Sequence, residues 1–159
     1  VETEAIEAKL VAATESIWSL TLEWLDGLSP QAIGFLPYAE VYVSTVEITG
    51  AWEGLITLVT TERLARKIAK RIYTDPSEVI TKPMVEDVLG ELTNITGGVL
   101  KNSMPSGSKL GLPKLQLMTY RQWEHRNTPR ILDLGYRVGY EPYLVSVCRL
   151  PKSPVVTTN

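Results

Sequence analysis

Apolar and polar side chains alternate through AEVYVSTVEITG, residues 39–50, and a second run of the same character, GLITLVTT, follows at residues 54–61. A period of two marks strands that bury one face, and Gly50 supplies the turn that sends the first run towards the second. Three more runs, LPKLQLMTY, RILDLGYRV and EPYLVSVCRL, come after residue 111 and are separated by polar turns. Elsewhere the period changes to that of a helix. Ile6, Leu10, Ala13, Ile17, Leu20 and Trp24 fall four and three apart, which predicts an amphipathic helix over residues 3–28, closed by Gly27 and Pro30, with Leu22 off the stripe. Thr60 and Thr61 introduce a second helix, ERLARKIAKRIY, that Asp75-Pro76-Ser77 ends. Thr81 and Pro83 start a third, VEDVLGELTNITGGVLKN, over residues 85–102. The expected fold is α+β, a mainly antiparallel sheet packed against long helices. Residues 1–150 are expected to form one domain, with 151–159 (PKSPVVTTN) as a loose tail.

Composition closes several functional classes. A formal charge of −2 gives no broad basic field, so a nucleic-acid partner is not expected. The helix at residues 62–73 is basic, but Leu64, Ile68, Ala69 and Ile72 recur at helical spacing and leave Arg63, Arg66, Lys67, Lys70 and Arg71 on a solvated face. No apolar run approaches the length of a membrane span and no signal peptide is read, so the expected location is the cytoplasm, with no membrane partner. The chain opens on Val1 rather than Met, as a trimmed or excised domain would. Cys148 is the single cysteine, expected to be a small buried strand residue, and His125 is the single histidine. Neither a disulfide framework nor a zinc or histidine-based metal site fits these counts, and no serine sits in a GxSxG turn.

The third helix carries Gly90, Gly97 and Gly98, each of which costs a helix about 1 kcal/mol relative to Ala. On a helical wheel Val85, Val88, Leu89, Leu92, Ile95, Val99 and Leu100 gather on one side as the core contact. Asp87, Glu91, Asn94, Gly98 and Lys101 gather opposite, with Gly90 and Gly97 at the flank. On this reading the glycines do not serve core packing; they bare a face that holds a carboxylate and a carboxamide, so that another surface can approach. Glu91 and Asn94, three apart, are neighbours there. The residues alone favour a plainer reading, a solvated helix face with tolerated glycines. The sequon-like Asn94-Ile95-Thr96 lies mid-helix and is set aside.

The run DVLGELTNITGGVLKN resembles the signature helix of the CheX group within the CheC/CheX/FliY family of bacterial chemotaxis phosphatases. That family's pattern is Asp or Ser, three residues, Glu, two residues, Asn, and Asp87, Glu91 and Asn94 stand in register with it. The preceding ITGAWEGLITLVTTERLARKIA resembles the strand-turn-strand-helix segment of CheX proteins, so the likeness covers roughly residues 40–150. The N-terminal helix holds no Glu-x-x-Asn, as in the one-site CheX arrangement rather than the two-site CheC one. Pro113 is the nearest candidate for a downstream proline of the pattern, at a shorter spacing.

The resemblance implies a phosphatase that dephosphorylates the phospho-aspartate of a CheY-like response regulator. In that family's mode, Asn94 would hold a water in line for attack and Glu91 would pair with the regulator's lysine. Asp87, Gly90, Gly97 and Gly98 would belong to the partner-binding face. No cofactor of its own is implied, and Mg²⁺ is expected on the partner receiver domain. The alternative is a non-catalytic CheX-like docking module for a receiver domain or flagellar component. The resemblance also permits a homodimer paired through the sheets, with EPYLVSVCRL as a candidate edge strand.

Overall fold

The alternating runs pair as a hairpin: β1 (Glu40–Thr49) and β2 (Gly54–Thr61) are antiparallel from Val41↔Thr61 to Ile48↔Gly54. Gly50 turns the chain with φ of 101°, and a Cβ there would collide with the Gly107 carbonyl, so both backbone and space demand glycine. This computed structural model describes residues 2–21, 34–73, 75, 77, 79–126 and 128–150.

Four more strands complete one antiparallel sheet: β3 (Lys109–Leu110), β4 (Lys114–Thr119), β5 (Arg130–Val138) and β6 (Glu141–Arg149). Their order is β3-β1-β2-β6-β5, and β4 runs beside β1 on the same side as β3. The strand expected at an edge, EPYLVSVCRL, is therefore interior. β6 is bonded to β2 on one side and β5 on the other, so its backbone groups are already satisfied. Among the described residues the edges are β5 and the β3–β4 line.

Helices α1 (Glu2–Thr21), α2 (Glu62–Ile72) and α3 (Lys82–Lys101) cover one face of this sheet. Tyr42, Val46, Ile48, Ile56, Leu58, Val145 and Val147 meet Ile6, Leu10, Leu64, Ile68, Leu89 and Leu92 in a single core. Each such large aliphatic side chain, fully buried, contributes about 1.5–3 kcal/mol. The N-cap of α2 is Thr61, whose Oγ1 accepts from Leu64 N–H at 3.1 Å. The basic residues of α2 are exposed, as read, and Cys148 is buried in β6. Trp24 and the Gly27–Pro30 stop lie outside the described residues, as do Leu22, Pro76 and the tail. Asp75 Oδ1 accepts from Ser77 N–H at 3.0 Å and from Ser77 Oγ at 2.7 Å.

The second face carries a smaller core of Val41, Val43, Val59 and Leu144 under Trp123. Trp123 belongs to a short helix, α4 (Tyr120–Glu124), that the alternation does not predict. LPKLQLMTY reads as strand through Tyr120, but Thr119 stops it with a reciprocal cap: its Oγ1 accepts from Gln122 N–H at 3.2 Å and its N–H donates to Gln122 Oε1 at 2.9 Å. No helix among the described residues is long and apolar enough to cross a membrane.

Candidate functional site

Thr81 stands at the N-cap of α3, with Pro83 in its first turn. At the far end Asn102 N–H bonds to Gly98 O at 3.1 Å, and the chain leaves through Pro105. The helix packs on β1 with α1 and α2 beside it. Val85, Val88, Leu89, Leu92 and Leu100 are buried as expected. Ile95 and Val99 are not: they are 40% and 42% exposed, because the buried arc is centred on Thr93, which rests on β1, and not on the aliphatic side chains alone.

That shift overturns the expectation that the glycines serve no packing role. Gly90 and Gly97 are both buried. A Cβ at Gly97 would lie 2.6 Å from Val46 Cγ1 and 3.1 Å from Leu110 Cδ1, so the bare residue lets the helix close onto β1 and β3. Gly90 faces Pro113, whose Cγ would be 3.5 Å from an added Cβ. Gly98 is half-buried, with nothing nearer than Leu110 Cδ2 at 4.0 Å.

Pro113 reaches Gly90 by way of a bulge. Between the pairs Ile48↔Leu110 and Thr45↔Lys114, the edge line carries Gly111, Leu112 and Pro113 opposite only Val46 and Glu47. Gly111 N–H keeps the line attached through Glu47 O at 2.8 Å. Pro113, despite its shorter spacing, thus faces the helix directly. Its signal was chemical rather than positional: proline cannot donate to a ladder and belongs at an edge or a bulge.

Between α3 and the start of β4 runs an open groove. Its helix wall holds Glu86, Asp87, Gly90, Glu91 and Asn94, and its strand side is Pro113 and Leu115. The predicted residues Asp87, Gly90, Glu91 and Asn94 therefore share one groove, while Gly97 and Gly98 stand outside its lining. Glu91 is exposed and Asn94 half-buried. Among the described residues neither side chain has a hydrogen bond or ion pair within the chain. Asn94 thus keeps two donors and an acceptor for an outside group, and Glu91 an acceptor that suits an ammonium. Glu86 pairs with Lys82 at 3.7 Å, whereas Asp87 is without a cation among the described residues, and none lines the groove. An acidic wall with a free amide invites a positively charged group and a hydrogen-bonding one together.

A six-stranded antiparallel sheet with this helical layer is also found in solved structures of CheX proteins. It matches the crystal structure of chemotaxis protein CheX from Vibrio vulnificus with a TM-score of 0.67 and 16% identity, over 90% of this chain and 95% of that one. CheX from Desulfovibrio desulfuricans gives 0.66 and 17%, over 91% and 99%. The CheX of a CheX–CheY–BeF3–Mg complex from Borrelia burgdorferi is similar at 0.65 and 12%, over 89% and 95%. Residues 42–128, from β1 through α4, match the profile of the family described as Chemotaxis phosphatase CheX, and the chain belongs to that family. A search of curated protein sequences finds no match.

Proposed function

We propose that this chain hydrolyses the aspartyl phosphate of a CheY-like response regulator, with α3 as the face that meets the receiver. The observation that carries the reading is the pair Glu91 and Asn94, neighbours on one helix, lining one groove, and free of partners among the described residues. An acyl phosphate is already activated, so hydrolysis asks for positioning and charge matching more than covalent help. Asn94 presents its carboxamide to a water in line with the phosphorus. The water oxygen bonds to phosphorus as the bond to the aspartyl oxygen breaks. The aspartate leaves as carboxylate, and both water protons stay with the departing dihydrogen phosphate. Glu91 accepts from the receiver's lysine and fixes the docking, with Asp87 supporting the same face. Mg²⁺ in this reading belongs to the receiver. Pro113 and Leu115 give the receiver an apolar strip beside the polar pair.

The test is the decay of a phosphate-loaded CheY-like receiver with and without the protein. Faster decay with wild type, and a raised KM in Glu91→Ala, is the expected result. Binding to the loaded receiver without faster decay would replace the phosphatase by a docking module.

A further inference from the structure

Beneath Asn94 the helix is held by a pair of buried hydroxyls. Thr93 and Ser44 are 0% and 1% exposed, and Thr93 Oγ1 donates to Ser44 Oγ at 2.5 Å. The Leu89 carbonyl lies within reach of both, 2.7 Å from Thr93 Oγ1 and 3.4 Å from Ser44 Oγ. The contacts at the glycines that flank this bond along the helix are apolar: Val46 and Leu110 against Gly97 on one side, Pro113 against Gly90 on the other. Such contacts set the height of a helix over a sheet but are non-directional, and they resist sliding weakly. A buried hydrogen bond between one helix residue and one strand residue is directional, and if the helix moves the Ser44 hydroxyl, whose partners are both on α3, is left unsatisfied.

We infer that Ser44 and Thr93 are positioning residues for the reaction: they pin the register of α3 on β1 and so fix Asn94, next in the chain, against Pro113 across the groove. Ser44 stands opposite Leu115 in the sheet, so the pin, the strand side of the groove and the polar pair are tied to one strand position. The inference rests on the reading of Asn94 given above, since a pin matters to rate only if the amide must be placed.

The experiment compares Thr93→Val, which keeps the shape and loses the hydroxyl, with Thr93→Ser, Ser44→Ala and the double variant Ser44→Ala/Thr93→Val. With a phosphate-loaded receiver, kcat is expected to fall about tenfold in both hydroxyl-deleting single variants while KM stays near wild type, as for a misplaced catalytic group. Thr93→Ser restores kcat, and the double variant is no worse than either single one. In the free protein, nuclear Overhauser contacts from Gly90 to the Pro113 ring and from Gly97 to the Val46 methyls weaken in the same variants and persist in Thr93→Ser. Wild-type kcat in Thr93→Val and Ser44→Ala would overturn the inference, as would equal losses in Thr93→Ser or additive losses in the double variant. If the wild type fails to accelerate decay, the phosphatase reading fails. The contacts then decide the pin by themselves, and their persistence in Thr93→Val and Ser44→Ala would overturn it.

Discussion

A methyl group at Gly97 would sit 2.6 Å from Val46 Cγ1, whereas one at Gly98 would meet nothing nearer than 4.0 Å. These adjacent glycines should answer alanine substitution with opposite signs. Gly97→Ala overpacks the helix–sheet contact and is expected to destabilise by about 1–3 kcal/mol, since Val46 is a packed, branched neighbour with little room to yield. Gly98→Ala gains helix propensity without a clash and is expected to stabilise by up to about 1 kcal/mol. Urea denaturation of the two variants and the wild type reads both; a stabilised Gly97→Ala would contradict the seating of α3 described above. The same positions show what a helical wheel leaves out. It sorts residues by angle, and the angle of Gly97 puts it near the polar arc. Burial of that angle follows from Val46 and Leu110, which a wheel of one helix does not contain.

At the level of elements, the chain is legible where it is periodic. β1, β2, β5 and β6 are apolar-rich runs of eight to ten residues, and the structure keeps those boundaries to within a residue or two. The line from Lys109 to Glu124 breaks its own pattern twice, at the bulge before Lys114 and at the cap on Thr119. Both breaks shape what surrounds the sheet: the first brings Pro113 to the groove, the second brings Trp123 over the small core on the second face of β1 and β2. Glu91 and Asn94 were legible as neighbours because helical spacing alone fixes that; their shared groove depended on the bulge, which is a tertiary matter. Thr61 joins elements as well as capping one, for its hydroxyl also reaches Glu141 Oε2 at 3.0 Å. Thr61→Ala is expected to cost about 1–2 kcal/mol, measured by denaturant unfolding, from the lost cap together with the lost bond to β6. A loss no larger than that of an exposed threonine would show that the junction between β2 and α2 is held by packing alone.

The whole molecule buries acids that stay protonated at neutral pH. Burial raises the Tyr42, Tyr120 and Tyr136 phenols above 10.0 and the Cys148 thiol above 9.0. For Tyr42 the nearby Glu62 and Glu86 push further in the same direction. Each group holds its proton to higher pH when folded than when unfolded. Its stabilising effect is therefore complete below the ordinary value and fades as pH climbs past it, because the unfolded chain then sheds protons the folded chain keeps. Unfolding free energy is expected to be level between about pH 7 and about pH 8.5 as far as these groups act, and lower at about pH 10.5. Stability that rises over the alkaline range would contradict the burial of these side chains.

In the proposed reaction the free amide of Asn94, on a helix seated against the sheet, places the attacking water. The measurement that tests this role most directly is the single-turnover decay of a phosphate-loaded CheY-like receiver, with wild type and Asn94→Ala at matched saturation. Decay is expected to be faster with wild type, and Asn94→Ala is expected to lose about a hundredfold of that acceleration, as for the removal of one preorganised polar group, with receiver affinity little changed. Undiminished acceleration by Asn94→Ala would contradict that role.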